Sequence, residues 1–505
     1  MRINVLPSRS YGGPQKPVGR SVRTRLVSPV SPVQLALCCG SLILGIFSFA
    51  ADTYTSLRVL TDALFLTNLL LCVLCVRELL DTKALGKTLL AGSCLVFFWL
   101  DAALLAHGPN LFAVPVDLSG LIGSFDRRDL QQGLFGVALF QMMLMVGYSL
   151  RLRLPAIVNG FRQRADSRLL ASRILVCAFA ACGLITTGIA YGFSLKSISM
   201  ALIASRNSIT SDWQDPGIWS NLAVLGMFGA SRLLLDGLAS NRGLRVWKIL
   251  LGLLACSPFI LGGTRHLVLF VVLPVLAALI IRTKTLNFGR TIGLCAAGIV
   301  VLMILQLEFA VRAKGWDNIS DKIHAEDFLT NSNGQFLALL FALHLVPAEH
   351  DFFHELAEPY FLIHWVPRAI WPNKPVMAAW AFYDDAYTRG AQFNVTPSVI
   401  GQFYMNWGFL GVACIGIWLG VLARFADLII SLLDVTSQCS LMVVAGMLHA
   451  FVISSFRYYH PLYFTYFAFS VVLTIMITHR QKNPSRCRDG ISPNSSVSSL
   501  VAVQL

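Results

Sequence analysis

Charged residues are scarce in this sequence. Of its 505 residues, only 13% are Asp, Glu, Lys or Arg, while 56% are hydrophobic. Soluble domains carry about 25% charged residues, so the composition excludes an ordinary soluble globular domain. The apolar runs instead match membrane helices, each of which needs roughly 20 mostly apolar residues. Because a bilayer core has no water to satisfy exposed backbone groups, these runs must be helical.

Cysteine is absent from every loop that the sequence predicts to lie outside. The twelve cysteines fall within apolar runs, apart from Cys439 and Cys487 near or beyond predicted cytoplasmic ends. This distribution excludes an external disulfide framework and an external cysteine-ligated metal site. The net charge of +14 is explained by the Lys/Arg excess typical of cytoplasmic loops, so no nucleic-acid partner is expected.

Twelve membrane-spanning helices are predicted, which makes the fold class all-α and polytopic. Their ranges are 33–50, 57–76, 88–106, 132–150, 174–193, 218–236, 247–262, 266–281, 291–310, 398–422, 438–456 and 459–477. With the N-terminus inside, the inside segments hold 26 of the 40 Lys and Arg residues and the outside segments hold 13. The positive-inside rule therefore predicts that both termini are cytoplasmic. Signal-peptide cleavage after Ala50 would instead leave eleven spans.

The predicted spans divide the chain into five regions. These are a disordered basic tail (1–32), spans one to nine (33–310), a large outer loop (311–397), the last three spans (398–477) and a second disordered tail (478–505). A loop of about 87 residues in a compact protein is usually functional or disordered. This one is too apolar for disorder, and we expect it to carry the active face.

Two segments of the outer loop have the composition of membrane-associated helices. Gly334–Val346 is apolar but too short to span, which favours a re-entrant or interfacial helix. Leu356–Trp371 is rich in the aromatic residues that settle at a bilayer interface.

Basic residues on the outside are informative because the topology disfavours them there. Arg265 lies in a Gly-Gly-Thr-Arg turn, and Arg312 directly follows a span. Arg368 and Lys374 lie in a stretch that three prolines stiffen, and Arg457 lies between the last two spans. Alone, each fits a lipid anchor or a structural ion pair. Together they predict one anionic site, because guanidinium groups bind phosphate oxygens bidentately.

Carboxylates and histidines cluster in residues 349–355. If this segment is helical, His350/His354 and Asp351/Glu355 form two i,i+4 pairs. The histidine pair has metal half-site spacing but no third ligand is evident, so no metal and no cofactor is predicted. Asp351, His354 or Glu355 is a candidate general base, and a solvated helix surface is the competing interpretation.

Other charged residues fall within the predicted spans. Asp62 and Asp101 are costly there, so each is either functional or a polar contact between helices. Arg232 and Asp236, near the inner end of a span, are predicted to be a buried structural pair or helix-end charges.

The chain resembles the O-antigen polymerase group of bacterial oligosaccharide repeat-unit polymerases. Three pieces carry the resemblance: the Gly-Gly-Thr-Arg turn at 262–265, Pro-Arg-x-x-Trp-Pro-x-Lys-Pro at 367–375, and Thr-Pro-Ser-x-x-Gly-Gln-Phe-Tyr-x-Asn-Trp-Gly-x-x-Gly at 396–411. The number of spans and the late outer loop agree with this family. The resemblance covers mainly residues 250–465.

This resemblance implies a GT-C-like architecture in the bacterial inner membrane, with a periplasmic active face. The implied reaction transfers a growing glycan from undecaprenyl pyrophosphate onto a sugar hydroxyl of another lipid-linked repeat unit, without a nucleotide sugar. The implied partners are the lipid-linked donor and acceptor, membrane lipids and a chain-length regulator protein.

The resemblance also assigns expected roles to individual residues. Arg265 and Arg368 are carried over as pyrophosphate or donor-glycan contacts, and topology adds Arg312, Lys374 and Arg457. Glu355 is retained as the candidate base. The expected sugar-stacking aromatics are Trp371, Tyr404 and Trp407, for which interfacial anchoring is the competing interpretation.

Two other functions remain open on the sequence. An O-antigen ligase uses the same chemistry with a lipid A core acceptor. A flippase or other transporter of lipid-linked oligosaccharides should show polar groups lining a central cavity and a repeat between halves, whereas here the spans carry few charges and no repeat is evident.

Overall fold

The computed structural model of the chain describes its helical bundle and part of the outer loop. The described residues are 30–82, 84–107, 125–150, 164–166, 170–190, 217–239, 242–261, 265–282, 334–348, 350–356, 358–363, 366, 370–375, 377–378, 397–433, 438–457 and 459–480.

Fourteen helices and two short strands are found in these described ranges. The helices are α1 (Pro32–Phe47), α2 (Tyr54–Thr82), α3 (Leu85–Cys94), α4 (Leu100–His107), α5 (Arg127–Ser149), α6 (Leu170–Ala190), α7 (Gly217–Ala239), α8 (Arg242–Leu261), α9 (Arg265–Arg282), α10 (Gln335–Leu345), α11 (Glu358–Ile363), α12 (Val399–Leu432), α13 (Cys439–Arg457) and α14 (Pro461–Ile477). A 3₁₀ turn (Ser48–Ala50) follows α1, and a π-helical turn (Leu95–Trp99) joins α3 to α4. The strands are β1 (Arg164–Asp166) and β2 (Thr478–Arg480).

Six of these helical stretches are long and apolar enough to cross a membrane. They are Pro32–Ala50, Tyr54–Leu79, Leu85–His107, Arg127–Ser149, Val399–Ser431 and Cys439–Arg457. The first begins where the sequence provides a capping box: the Ser31 hydroxyl accepts from the Gln34 amide, and the Gln34 side chain accepts from Ser31. The protein is therefore a polytopic α-helical membrane protein, as the sequence predicts.

Helices also lie at five further positions where a span is predicted. These are α6, α7, α8, α9 and α14. The predicted span at 291–310 lies outside the described residues, as do most of the two tails. The count of twelve therefore stays a prediction.

Glycines bring the helices of the bundle into close contact. A Cβ atom placed on Gly420 of α12 would lie 2.1 Å from the Leu144 carbonyl oxygen of α5, and one on Gly147 would lie 2.2 Å from that of Ile417. Only a residue without a side chain allows this approach, which is how membrane helices pack tightly. Gly136, earlier in α5, faces Phe409, whereas Gly147, later in α5, faces Ile417. Residue numbers therefore increase in the same direction along both helices, so α5 and α12 run parallel.

The bundle has two distinguishable ends. β1 pairs antiparallel with β2, with Arg164 opposite Arg480, and we call this the tail end. The loop end is the opposite end, where residues 350–378 lie. The sequence predicts that both strand segments lie on the cytoplasmic side. Because the two strands pair, they do lie on the same side of the bundle. Which side of the membrane each end faces stays a prediction.

α10 is a short helix inserted into the bundle from the loop end. It has 11 residues, so it is about 16 Å long, and nine of the eleven are buried. Its Phe336 amide donates to the buried Asp101 carboxylate at 2.8 Å, and His344 near its other end contacts Asp129 at 2.9 Å. Burial on nearly all sides favours the re-entrant interpretation over the interfacial one. Asp101 thus serves as a polar contact between helices.

A buried polar network lies in the tail half of the bundle. The Asp427 carboxylate accepts from the Gly86 amide at 2.9 Å and from the Tyr148 hydroxyl at 2.6 Å, and it contacts His449 Nε2 at 3.2 Å. Nearby, Arg424 donates to the Tyr148 carbonyl at 2.9 Å. Asp427 therefore holds α3, α5, α12 and α13 together.

The other charges in the spans also have structural contacts. Arg232 pairs with Asp236, and its Nε donates to Ser440 at 3.0 Å, which confirms the predicted structural pair. Asp62 contacts His107 at 2.8 Å between α2 and α4.

Candidate functional site

The site is built around a break in α12. Trp407 (φ −140°, ψ 17°) and Gly408 (φ 59°, ψ −152°) depart from helical geometry. A Cβ atom on Gly411 would lie 2.3 Å from the Phe403 carbonyl oxygen, although residues eight apart in a continuous helix are about 12 Å apart along the axis. The first two turns therefore fold back against the rest of α12. The predicted span 398–422 is thus not one straight helix, and its helix continues to Leu432.

Glycine at position 408 is what permits this break. Its combination of positive φ and extended ψ is essentially restricted to glycine. A side chain at position 408 would not be excluded by lack of room, because a Cβ atom there would lie 3.5 Å from the Phe352 ring, an ordinary contact distance.

The outer loop satisfies the backbone groups that the break exposes. The amides of Phe353 and His354 donate to the carbonyls of Met405 and Asn406, both at 3.1 Å. The Glu355 amide donates to the Asn406 side-chain oxygen at 3.2 Å. Because buried backbone groups must be paired, these bonds fix the loop on the broken helix.

This docked segment is not helical, so the condition for the two i,i+4 pairs is not met. Residues 350–356 have no helical hydrogen bonding, and His354 has a φ of 55°. The pairs His350/His354 and Asp351/Glu355 therefore do not share a helix face. The amides of Phe353 and His354 bond to α12, and the His350 amide bonds to the Leu345 carbonyl at the end of α10.

Glu355 is held in a defined position at the loop end. Its carboxylate accepts from the Tyr360 hydroxyl at 3.2 Å and from the Ala378 amide at 2.5 Å. Burial and the facing Glu355 charge raise the pKa of Tyr360 above its ordinary value of 10. A carboxylate has about four lone-pair sites, so two donors leave capacity for a further proton or hydroxyl.

The predicted aromatic contacts occupy different environments. The Trp407 indole donates to the Glu355 carbonyl at 3.0 Å, and its ring lies 4.9 Å from His354. Trp371 is 39% exposed at the loop end. Tyr404 is buried, with its ring against Phe352 (5.8 Å) and Phe409 (5.0 Å). Tyr404 therefore packs inside the bundle, and the sugar-stacking role expected of it stays a prediction.

Lys374 lies in the same part of the molecule. Its amide closes a turn on the Trp371 carbonyl at 3.1 Å, and its ammonium donates to the Val366 carbonyl at 3.0 Å. Met377 then contacts Gln402 at 3.5 Å, so residues 370–378 lie beside the start of α12.

Arg457 ends α13 beside this assembly. The Gln402 side chain bonds both backbone groups of Tyr459: its oxygen accepts from the amide at 2.9 Å, and its nitrogen donates to the carbonyl at 3.3 Å. Arg457 lies two residues before that connection and interacts electrostatically with the Tyr463 phenol. The last turn between spans is therefore attached to the first turn of α12.

The backbone of Arg265 belongs to the same end of the bundle. Arg265 is the first residue of α9, and Phe270 of that helix lies 6.1 Å from the Tyr463 ring at the start of α14. The start of α9 therefore lies where α13 ends. The Arg265 side chain is outside the described part of the structure, as are Arg312 and Arg368 entirely.

Three residues of the site have no role assigned from the sequence: Gln402, Asn406 and Gly408. They lie in the stretch 396–411, at the break in α12. Two amides and a glycine inside an apolar run are a signal, because buried amides need partners. The sequence does not show which residues pair with the two amides, because those residues are 50 or more positions away along the chain.

Among the described residues, no three His, Cys, Asp or Glu side chains gather around a point that a metal ion could occupy. In comparisons with known proteins, no family model, no curated protein and no solved structure matches this chain.

Proposed function

We propose that the chain polymerises lipid-linked oligosaccharide repeat units by glycosyl transfer at the loop end. One observation supports the proposal: the segment that carries Glu355 and the connection that follows Arg457 are both hydrogen-bonded to the broken start of α12, through Asn406 and Gln402. The stretch that forms the break, 396–411, is one of the three in which the sequence resembles oligosaccharide repeat-unit polymerases.

In the proposed reaction, the bond between the donor sugar and the pyrophosphate of its undecaprenyl carrier breaks. A hydroxyl of the acceptor sugar forms the new glycosidic bond, and its proton passes to Glu355, the candidate base. The leaving pyrophosphate needs no protonation, but negative charge develops on it.

Arginine side chains are the groups that stabilise this charge in the proposal. Each preorganised donor of this kind contributes about 3–4 kcal/mol to the transition state. Arg457 is the described candidate, and Arg265, Arg312 and Arg368 are its proposed companions. Lys374 is proposed to fix the loop near the donor, because its ammonium already binds a backbone carbonyl.

A transporter of lipid-linked oligosaccharides is the second candidate. The re-entrant α10 and the broken α12 favour it, since transporters bind substrates at interrupted helices. One contact argues against it: Asp101 already accepts the amide at the N-terminus of α10, which in such transporters points at an anionic substrate group.

The test is the surface glycan profile of host cells that lack the protein. A polymerase deletion leaves single repeat units on the lipid anchor, and a ligase deletion leaves long polymer on its carrier. A transporter deletion removes exported glycan. We expect single repeat units after deletion, and we expect Arg457→Ala, Arg368→Ala and Glu355→Gln each to reproduce them with the protein still inserted.

The matched control is Arg245→Gln, an exposed arginine of α8 away from the site, which should keep the full polymer. A wild-type glycan profile in the Arg457 and Arg368 variants would refute the proposed arginine site. Long polymer on the carrier in the deletion strain would refute the polymerase assignment.

A further inference from the structure

A depression that carries both signs of charge lies at the loop end. It has a volume of about 720 Å³ and is formed by the turn between α1 and α2 and by the start of α5. Arg127 and Arg128 line it from α5, and Asp52 and Tyr54 line it from the turn. Asp126, which also lines it, caps α5 through its side chain.

Hydrogen bonds hold the two walls of this depression together. The Arg127 guanidinium donates to the Asp52 carbonyl, and the Gln131 side-chain nitrogen donates to the Ala51 carbonyl at 3.1 Å. The Arg128 side chain is exposed and close enough to act electrostatically on Tyr404. The depression is therefore a fixed feature of the bundle, and both of its arginines are exposed.

An apolar groove of about 450 Å³ begins next to it. Phe47, Val59 and Leu60 line the groove between α1 and α2, and Phe47 and Val59 are 59% and 63% exposed. Ala51 lines the groove and the next residue, Asp52, lines the charged depression. Adjacent Cα atoms are 3.8 Å apart, so the two depressions meet at this turn.

We propose that the two depressions together bind one phospholipid whose headgroup carries both a phosphate and a primary ammonium group, as phosphatidylethanolamine does. Arg128 and Arg127 face the phosphate, which guanidinium groups bind through paired hydrogen bonds. The Asp52 carboxylate faces the ammonium group, which has three protons to donate. The groove takes an acyl chain, because apolar surface at this depth is covered by lipid. Tyr54 and Phe49 also line the charged depression, and aromatic residues are enriched at membrane interfaces.

The opposite charges select this occupant over others. A purely anionic headgroup would leave Asp52 facing like charge, and a choline headgroup has no proton to donate to it. This site is separate from the Glu355 assembly, and the proposal does not depend on the proposed function.

The test is lipid titration of the delipidated full-length protein, followed by native mass spectrometry. The probes are dioleoyl phosphatidylethanolamine, dioleoyl phosphatidylglycerol and dioleoyl phosphatidylcholine. We expect phosphatidylethanolamine to bind about fivefold more tightly than either other lipid, the size of one exposed charge pair. Arg128→Gln should weaken its binding by a similar factor, and Asp52→Asn should abolish its preference over phosphatidylglycerol. Arg245→Gln on α8 should change nothing.

Each contrary outcome overturns a stated part of the proposal. Equal binding of the three lipids, or strongest binding of phosphatidylglycerol, overturns the assignment of the headgroup. If Arg128→Gln and Asp52→Asn both bind phosphatidylethanolamine as the unaltered protein does, the proposed location is wrong. Thermal unfolding checks that both variants are folded, which is expected because both residues are exposed. Competition by glycerophosphoethanolamine, which lacks acyl chains, at equal concentration overturns the role of the groove.

Discussion

Two carboxylates at opposite ends of the bundle are held by the same kinds of donor but in different surroundings. Glu355 at the loop end and Asp427 in the tail half each accept a backbone amide and a tyrosine hydroxyl. Asp427 is 2% exposed and also contacts His449, whereas Glu355 is only partly buried. The comparison teaches that hydrogen bonds alone do not mark a functional carboxylate. Glu355 differs from Asp427 in that its carboxylate is partly exposed, so a further ligand can reach it.

The largest expected effect that tests this comparison is on stability at Asp427. Asp427→Asn should lower the free energy of unfolding by about 3–5 kcal/mol, because it removes one partner from a buried charged network. Glu355→Gln should cost about 1 kcal/mol or less, since Glu355 is partly solvated. Thermal unfolding in detergent measures both. Equal losses would mean that the two carboxylates play the same structural role.

The next effect concerns the break on which Glu355 depends. Gly408→Ala should cost about 1–3 kcal/mol, because alanine is strained at this backbone conformation. It should also expose the segment 350–356 to protease, since that segment binds the carbonyls at the break. Gly40→Ala in α1 is the matched control, because a Cβ atom there meets nothing within 4 Å and alanine favours a helix. If both variants unfold alike, the break is not a strained conformation.

The smallest effect is the pH dependence of the Tyr360 contact. The pKa of Tyr360 is raised by burial first and then by the Glu355 charge and hydrogen bond. A raised folded-state pKa gives stability that is fully present below pH 10 and lost as the pH rises through that pKa.

Ultraviolet difference titration of the protein against Tyr360→Phe measures this ionisation. In Glu355→Gln the midpoint should move down towards 10 but stay above it, because burial remains. A midpoint that does not move would show that Glu355 does not act on Tyr360.

Much of the helical framework follows from the sequence because each helix is a local feature. Runs of about 20 apolar residues predict the spans, and the 11 residues of α10 are too few to cross. The break at Gly408 is not local. Residues 398–422 have the composition of one continuous span, and only the bonds from Phe353 and His354 reveal why the helix stops and turns.

The same distinction applies to the site. Glu355 and Arg457 are predictable as polar groups in unusual places, and both lie at the loop end. Tyr404 is not predictable as a packing residue, since Phe352 and Phe409 cover it only after the loop has docked. The non-helical conformation of residues 350–356 cannot be predicted from the sequence for the same reason, because its hydrogen-bond partners on α12 are about 50 residues away.

The short length of α10 has a consequence for permeability. A helix that ends half-way through a bundle leaves a column beneath it that water could fill. Here the ring of Phe98, one turn from Asp101, lies 6.1 Å from that of Phe140 and 6.2 Å from that of Phe456, and the last two rings are 5.5 Å apart. All three are fully buried. In the described part of the bundle these rings form an apolar layer on the tail side of Asp101, and such a layer opposes the passage of water and ions through the column that α10 leaves unfilled.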